Sequence, residues 1–210
     1  MASLGVAISV ITTDANGNTN LPEQYRGRQH VEGVNVHYCK RELPGNYFFS
    51  RHLEKACKTQ INKDSVDLVY IASNWGYPFI PACRVAERSN VPYVVSPRAS
   101  FKRSTWQGKA VKKWFYHVLF ERRWIQRAAC VHYTTQMERD DSRWLRLHPP
   151  AIVVPNPVNF AEFDDLPERG TFRTQFGIAR NIPILLFLGR IDPDKGLPLA
   201  IRALPTLVPR

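Results

Sequence analysis

Residues 182–196 read Ile-Pro-Ile-Leu-Leu-Phe-Leu-Gly-Arg-Ile-Asp-Pro-Asp-Lys-Gly, which is the pattern of a strand, a tight loop and the start of a helix. Residues 184–188 are all apolar, as is typical of a parallel strand that is covered on both faces. Gly189 permits a sharp turn, and apolar residues then recur with helical spacing as far as Leu204. The stretch predicts a central strand of a parallel sheet, followed by a loop and a helix.

Two cations, Arg190 and Lys195, lie at the carboxyl end of this predicted strand. Open α/β sheets bind ligands at that edge, where the amino terminus of a helix also favours anions. The pattern fits a diphosphate site, although an ordinary strand-to-helix turn with solvated charges has the same spacing. Asp192-Pro193-Asp194 also has the form of a DxD metal motif, but the adjacent ammonium of Lys195 argues against a divalent cation.

The rest of the chain alternates strand and helix patterns. Strands are predicted at residues 6–12, 33–39, 66–72, 92–96, 129–134 and 151–154, and helices at 46–63, 79–88, 107–127, 135–147 and 171–176. This alternation predicts an α/β fold with a doubly wound parallel sheet. Function is then expected in the loops that follow the strands, at residues 14–17, 73–78, 97–105 and 134–138.

The chain is strongly basic, and many of its basic residues lie in one segment. It carries 29 Lys or Arg and 18 Asp or Glu. Between Arg98 and Arg127 the only acid is Glu121, and the basic positions are 98, 102, 103, 109, 112, 113, 122, 123 and 127. Such a surface suits a phosphate-bearing substrate, an anionic membrane or a nucleic acid, and solvated helix surface is the simpler alternative.

Residues 107–127 form the strongest predicted helix, with a basic face and an apolar face. The apolar face consists of Val111, Trp114, Phe115, Val118, Leu119 and Ile125. Trp114 and Trp124 among cations would suit a membrane interface, but an apolar stripe at helical spacing is more often core. The sequence therefore favours burial of this face, with peripheral contact with an anionic membrane as the alternative.

Metal and disulfide signals are weak. Cys39, Cys57, Cys83 and Cys130 are isolated, which predicts reduced, buried thiols rather than a disulfide framework. His37 shares a strand face with Cys39, and Cys130 shares one with His132, but buried side chains without a metal are favoured over a zinc site.

Thr135 and Glu138 have the spacing of a capping box, so Glu138 is expected to be structural.

No apolar run approaches the ~18 residues that a membrane span requires. Residues 4–11 lack the basic flank and the cleavage site of a signal peptide. The sequence therefore predicts a cytoplasmic protein. Because of the basic helix, a location at the inner face of the membrane is the alternative within that prediction.

Four parts of the chain carry a family pattern: residues 91–98, residues 120–123 with Ala128 and Ala129, residues 153–156, and residues 187–191 with Lys195 and Gly196. In this order and spacing they resemble glycosyltransferase family 4, the retaining enzymes with the GT-B fold. The resemblance spans nearly the whole chain. It implies a Rossmann-like acceptor domain at residues 1–157, a linker at 158–169, and the start of a second Rossmann-like domain at 170–210.

The resemblance also implies roles for individual residues. Gly189, Arg190 and Lys195 would bind the diphosphate of a nucleotide-sugar donor, with Arg190 and Lys195 as the catalytic cations. These cations would stabilise the negative charge that accumulates on the leaving diphosphate. The acceptor would be faced by Asn74, Trp75, Tyr77 and Arg98.

In this family, retention is usually ascribed to front-face attack assisted by the donor phosphate, so no nucleophilic carboxylate is required. Neither a metal nor another cofactor is expected. The implied acceptor is a sugar or a lipid-linked precursor of a cell-envelope polysaccharide or exopolysaccharide.

The chain departs from the family pattern at several positions. Ser73 and Asn74 stand where family members commonly carry a histidine, and Pro157 replaces a glycine and forbids a positive φ. The first strand and a Glu-x7-Glu donor motif are expected outside the sequence. The chain is therefore expected to be a fragment, and the uncovered strand at 184–188 should promote association.

Two other functions stay open. One is a noncatalytic fragment of a glycosyltransferase. The other is a basic nucleic-acid-binding module, although no binding motif of that class is present and no nucleic-acid partner is expected.

Overall fold

The computed structural model describes residues 4–43, 45, 47–106, 110–192 and 195–207 of the chain. Contacts between backbone positions divide the chain into two compact units, Met1–Pro157 and Val158–Arg210. Every strand of the described residues lies in the first unit.

The first unit contains two sheets and a short hairpin. Its strands are β1 (Ser9–Thr13), β2 (Ala15–Asn16), β3 (Thr19–Asn20), β4 (Gly27–Val31), β5 (Val34–Cys39), β6 (Val69–Ala72), β7 (Tyr93–Ser96), β8 (Cys130–Tyr133) and β9 (Ala151–Val153). One sheet is parallel, with the order β6-β7-β8-β9. The other has the order β1-β5-β4, in which β5 is parallel to β1 and antiparallel to β4. β2 and β3 form the hairpin.

Helices alternate with the parallel strands. They are α1 (Leu53–Asp64), α2 (Phe79–Arg88), α3 (Ala110–Tyr116), α4 (Arg122–Gln126) and α5 (Gln136–Asp141) in the first unit, and α6 (Thr171–Gln175) and α7 (Leu197–Leu207) in the second. A π-helical turn, His117–Glu121, joins α3 to α4. Short 3-10 turns lie at Glu23–Tyr25, Arg103–Trp106, Arg143–Leu145 and Phe160–Phe163. The parallel sheet with its flanking helices confirms the predicted α/β, Rossmann-like fold class.

The main core packs helix residues against the four-stranded sheet. Its fully buried apolar side chains include Phe79, Cys83, Val95, Phe101, Ile125 and Val131. α2 has the predicted bounds, and its buried Phe79, Cys83 and Ala86 recur at helical spacing. The predicted strands of the first unit all form with shifted ends. β4, which contains Arg28, Gln29 and His30, was not predicted because it lacks an apolar run.

Two predicted helices are shorter than expected. The helix predicted at 46–63 begins only at Leu53, because the preceding segment includes Phe48, whose φ of 56° lies outside the helical region. The helix predicted at 135–147 ends as α5 at Asp141 and continues only as a 3-10 turn. That turn stops at Arg146, which is left-handed with a φ of 50°.

Of the helix predicted at 107–127, residues 110–126 are helical and residues 107–109 lie outside the described residues. The orientation of the helix was predicted wrongly. Of the predicted apolar face, Ile125 alone is buried, while Val111, Trp114, Phe115, Val118 and Leu119 are exposed. The helix instead buries the polar side chains of His117 and Glu121. The π-helical turn supplies the physical reason, because it adds a residue to one turn and changes which side chains face the core.

The loop after β1 is held by a buried carboxylate, which a surface loop was not expected to contain. Asp14 is fully buried, and its Oδ2 accepts a hydrogen bond from Nε of Arg26 at 2.7 Å. Its Oδ1 accepts one from the backbone N–H of Arg41 at 2.6 Å. The Arg41 guanidinium donates in turn to the backbone oxygens of Gly17 and Thr19. This carboxylate therefore fixes a loop and is not available to a substrate.

All four cysteines are free thiols. Cys39 and Cys83 are buried. Burial raises the pKa of Cys39 to about 11 and that of Cys57 to about 12. Such thiols stay protonated near neutral pH and are poor nucleophiles.

The strand predicted at residues 184–188 does not form. The described residues of the second unit contain no strand, and Leu185, Leu186 and Leu188 are exposed. A strand needs neighbours for its backbone groups, and this unit supplies none among those residues. The helix predicted after the loop does form, as α7.

Amide hydrogen exchange tests this difference between the units. We expect residues 184–188 to exchange at nearly the rate of an unstructured peptide. We expect the amides of β7 and β8 to be slowed by at least about 100-fold, because they lie in a hydrogen-bonded core sheet. Mass spectrometry of exchanged peptides from the 210-residue chain gives both values. Equal protection of the two segments would contradict the structure.

Candidate functional site

The carboxyl ends of β6 to β9 meet at one edge of the parallel sheet, where open α/β sheets bind their ligands. Three residues just after β6 and β7 have a positive φ although none is glycine: Ser73 (74°), Arg98 (51°) and Ala99 (65°). Such conformations cost about 1–3 kcal/mol each and are concentrated at functional sites. This edge is therefore the candidate functional site.

Asn74 lies below the surface of this edge. Its side chain is 1% exposed, and its Nδ2 donates to Oε2 of Glu121 at 3.0 Å. The Ser100 hydroxyl donates to its Oδ1. Both ends of the Asn74 amide are thus hydrogen-bonded within the protein. Asn74 ties the loop after β6 to the loop after β7 and to the π-helical turn.

Glu121 is the buried acid of this cluster. Its Oε2 lies 3.4 Å from Nδ1 of His117, and both side chains are almost completely buried. Burial raises the pKa of Glu121, and the hydrogen bonds from His117 and Asn74 offset only part of that effect. Oε1 of Glu121 and Nε2 of His117 have no hydrogen-bond partner among the described residues. Buried polar atoms without a hydrogen-bond partner are rare in native proteins, and π-helical turns are frequent at functional sites.

The backbone oxygens of Ser100 and Phe101 accept hydrogen bonds from three indole N–H groups. Nε1 of Trp75 and Nε1 of Trp106 both donate to the Ser100 oxygen, at 3.3 and 3.0 Å. Nε1 of Trp144 donates to the Phe101 oxygen at 3.0 Å. The loop after β7 is therefore held by tryptophans from three different segments.

Trp75 is partly exposed and lies within an aromatic group. Its ring stacks near the ring of Tyr116, at 6.0 Å between centroids, and meets the edge of Trp106 at 5.1 Å. Nζ of Lys113 lies 5.4 Å from the centre of the Trp75 ring. A cation at this distance from an aromatic face is electrostatically favourable.

Tyr77 packs against the segment just before α1. Its ring contacts Phe49 at 4.6 Å and Tyr47 at 6.2 Å between centroids, and its backbone N–H donates to the Tyr47 oxygen at 2.8 Å. Gly76 permits this approach, because a Cβ there would lie 3.3 Å from the Phe48 ring and 3.4 Å from the Tyr47 oxygen. Burial raises the pKa of the Tyr77 hydroxyl.

Arg98 has an exposed side chain at the same edge, and its guanidinium donates to Oδ1 of Asn156. Next to it, the backbone N–H of Ala99 donates to Oε1 of Glu138 at 2.5 Å. Oε2 of Glu138 accepts from the backbone N–H and the hydroxyl of Thr134, at 2.7 and 2.8 Å. The buried Glu138 carboxylate thus joins the loops after β7 and β8.

The predicted capping box forms in part. Oγ1 of Thr135 accepts a hydrogen bond from the backbone N–H of Glu138 at 3.1 Å, so Thr135 caps α5. The carboxylate of Glu138 turns to Ala99 and Thr134 instead of to the Thr135 backbone. Glu138 is structural, as predicted, but it supports the candidate site as well as the helix.

The predicted donor residues lie in the second unit. The side chains of Arg190 and Lys195 are exposed, and Gly189 has a φ of 154°, which side chains rarely permit. The backbone N–H of Lys195 donates to the Asp192 oxygen at 3.0 Å. That bond holds Lys195 close to the segment that carries Arg190. Pro193 and Asp194 of the DxD pattern lie outside the described residues.

The His37–Cys39 and Cys130–His132 pairs, which the sequence left as a less favoured zinc alternative, do not belong to a larger cluster of potential metal ligands among the described residues. No group of three His, Cys, Asp or Glu side chains could hold a metal ion in the part of the chain that the structure describes. Nδ1 of His132 lies 2.7 Å from the Tyr70 hydroxyl, and its Nε2 lies 2.8 Å from the Val154 oxygen. Both nitrogens of this histidine are therefore occupied.

A cavity of about 640 Å³ lies away from the candidate site, between the last turns of α1 and α2. Its lining residues Ser65, Val66, Ser89 and Val91 precede β6 and β7. The cavity is thus near the amino ends of these strands, the end opposite to the one that binds ligands in such sheets.

Sequence reasoning did not single out Ser100 and His117. It noted Glu121 as the one acid of the basic segment and within a family motif, but gave it no role. The signal for Glu121 was available, because it is the one acid in a strongly basic segment.

No helix of the described residues is both long and apolar enough to cross a bilayer.

Comparison with known proteins adds two findings. The family model of a glycosyl transferase 4-like domain matches residues 1–157. The structure is similar to a sucrose-phosphate synthase from Thermosynechococcus elongatus, with a TM-score of 0.65 and 17% sequence identity. That match covers 97% of this chain and 50% of the other, so the chain spans half the length of that protein. No curated protein sequence matches the chain.

Replacing Glu121 should change how stability depends on pH. The pKa of Glu121 is raised in the folded protein. At pH values just above 4.5, its ordinary pKa, the native state therefore keeps the proton that the unfolded state releases. The Glu121 contribution is therefore favourable below pH 4.5 and is lost as pH rises through the folded pKa. The wild type should therefore lose stability relative to Glu121→Gln as pH rises. The difference between their free energies of unfolding should change by at most about 1.4 kcal/mol per pH unit.

Urea unfolding at several pH values between mild acid and neutrality measures this difference. Glu168→Gln is the matched control, because its side chain is exposed, and it should follow the wild type. A Glu121→Gln effect that is the same at every pH would show that the buried carboxyl does not titrate as described.

Proposed function

The chain belongs to the glycosyl transferase 4-like family, and from this premise we propose that it transfers a sugar from a nucleotide-sugar donor to an acceptor, with retention of configuration. The observation that carries the proposal is the family match over residues 1–157. The strained, tightly bonded loops at the carboxyl edge of the parallel sheet support it, because that edge is where such folds bind ligands.

The acceptor is assigned to this edge of the first unit. Trp75 and Tyr77 would offer aromatic surface to the apolar face of a sugar ring. Arg98 would bind an anionic or hydroxyl group, since its exposed guanidinium is already oriented by Asn156. Asn74 would act through the positions of the two loops that it joins, because its own amide is buried and bonded.

The donor diphosphate is assigned to Gly189, Arg190 and Lys195. A backbone without a side chain at Gly189 would let the diphosphate approach closely. As the glycosidic bond breaks, negative charge accumulates on the leaving diphosphate, and the two cations would stabilise that state more than the ground state. We therefore propose that no metal is needed for the leaving group.

Retention would follow from front-face attack, in which the acceptor hydroxyl enters on the side that the diphosphate leaves. A donor phosphate oxygen would accept the hydroxyl proton, so the mechanism needs no nucleophilic carboxylate. A sugar or a lipid-linked precursor of a surface polysaccharide is the proposed acceptor class. The exposed Lys112 and Arg123 of the helix at residues 110–126 favour an acceptor that resides at an anionic membrane.

One observation favours a second possibility, that the 210 residues alone do not turn over substrate. The segment that leads into the proposed donor site is not a strand in this chain. A nucleic-acid-binding function has less support. No recognised nucleic-acid-binding motif is present in the sequence, and the Trp106 ring is buried.

Nucleotide binding tests the donor assignment. We expect UDP, GDP or ADP at a hundredfold excess over its dissociation constant to stabilise the chain by about 2.7 kcal/mol. Arg190→Ala and Lys195→Ala should each weaken binding about 10- to 150-fold, because a charge-assisted hydrogen bond contributes about 1.5–3 kcal/mol. The melting temperature, measured over a series of nucleotide concentrations, gives both results.

Arg202→Ala is the matched control, because Arg202 is an exposed cation of α7 in the same unit. It should bind the nucleotide as the wild type does. A chain that no nucleotide stabilises would favour the noncatalytic alternative. Equal losses in all three variants would indicate nonspecific attraction to a basic surface.

Arg98 tests the acceptor assignment. With the nucleotide-sugar whose nucleotide binds, Arg98→Ala should lower kcat/KM about 10- to 150-fold, by loss of one charge-assisted hydrogen bond. Release of the nucleoside diphosphate is the measurement. Arg143→Ala removes another exposed cation and should leave the rate unchanged. Unchanged turnover in Arg98→Ala would remove Arg98 from the acceptor site.

A further inference from the structure

The helix at residues 110–126 presents an apolar surface to solvent. Val111 is 71% exposed, Phe115 52% and Leu119 67%, and the rings of Trp114 and Phe115 contact each other at 5.2 Å between centroids. Isolated exposed apolar residues are common, but a contiguous set on one helix marks an interaction surface. We call Val111, Trp114, Phe115, Val118 and Leu119 the apolar face.

The exposed charges of the segment that carries the apolar face have one sign among the described residues. Glu121 is the only acid between Arg98 and Arg127, and it is fully buried against Asn74. Lys112 and Arg123 of the helix are exposed, as is Arg103 in the turn before it. The exposed charged side chains of this segment are therefore all basic among the described residues.

The buried side of the helix contacts the candidate site. His117 and Glu121 lie beside Asn74, and Lys113 lies 5.4 Å from the centre of the Trp75 ring. Lys113 also donates to the Thr105 oxygen, which fixes the turn before the helix. Whatever binds the apolar face is therefore one helix diameter away from the proposed acceptor site.

We propose that the apolar face docks on an anionic lipid surface, as an interfacial helix that lies in the plane of the membrane. Large apolar and aromatic residues on one face with Lys and Arg around them are the pattern of such helices. The apolar side chains would enter the boundary between headgroups and acyl chains, and the cations would pair with lipid phosphates. Docking would bring the acceptor site to the membrane surface. That use rests on the proposed function, whereas lipid binding itself does not.

The charges favour a membrane over other occupants. A second copy of the chain would bring together the lysines and arginines of two such segments, and this segment offers no exposed acid among its described residues to pair with them, which is unfavourable. A nucleic acid would pair with the cations but would leave the phenylalanine and leucine side chains uncovered. An anionic lipid surface complements both the apolar and the basic residues.

Vesicle binding by the 210-residue chain tests the proposal. We expect the chain to float with vesicles that contain phosphatidylglycerol, to bind phosphatidylcholine vesicles much more weakly, and to be released by salt. Phe115→Ser combined with Leu119→Ser should weaken binding about 100-fold, because two large apolar side chains no longer enter the lipid. Lys112→Gln combined with Arg103→Gln should weaken it about 25-fold, or about fivefold for each cation.

Matched controls separate this face from other exposed residues. Met137→Ser on α5 and Leu185→Ser in the second unit each remove an exposed apolar side chain, and Lys55→Gln removes an exposed cation of α1. All three should bind vesicles as the wild type does. An unchanged urea midpoint in every variant shows that the fold is intact.

Three results would overturn the proposal. They are equal vesicle binding by the wild type and the Phe115→Ser/Leu119→Ser variant, binding that is the same for neutral and anionic vesicles, and a wild-type dimer that this variant dissociates without any vesicle binding. Failure of nucleotide binding, in contrast, would leave the lipid result unaffected, so the two proposals fail separately.

Discussion

The hydrogen bonds of one buried amide organise the candidate site of this protein. Asn74 links the loop after β6, the loop after β7 and the π-helical turn through Glu121 and Ser100. A buried polar group is costly unless it is bonded, so these partners constrain one another strongly. The strained backbone at Ser73, Arg98 and Ala99 persists because such bonds, with those of Glu138, hold both loops.

The sequence predicted the fold of the first unit well, because its strands and helices have clear apolar periods. Phe79, Cys83 and Ala86 of α2 show why: local spacing and burial agree there. Residues 110–126 show the limit. The apolar stripe predicted the core face, but burial of His117 and Glu121 depends on a partner, Asn74, that is far away in sequence. Periodicity carries no information about such a contact.

The sequence predicted which loops lie at the carboxyl edge of the parallel sheet, but not how their side chains are placed. The rule that ligands bind at the carboxyl ends of parallel strands led to the loops at Trp75, Tyr77 and Arg98. It could not distinguish an exposed side chain such as Arg98 from a buried one such as Asn74. The prediction of a strand at residues 184–188 was wrong for another reason. A strand depends on neighbouring strands, and the described part of the second unit provides none.

The π-helical turn at His117–Glu121 has a consequence for how this helix would respond to a deletion. A π-helical turn holds one residue more than an α-helical turn. Deletion of a single residue there would straighten the helix and rotate everything after it by roughly a quarter of a turn. The buried acid and the apolar face on opposite sides of the helix would then lose their alignment together. The extra residue of the π-helical turn thus sets the orientation of the buried Glu121 relative to the outward apolar face.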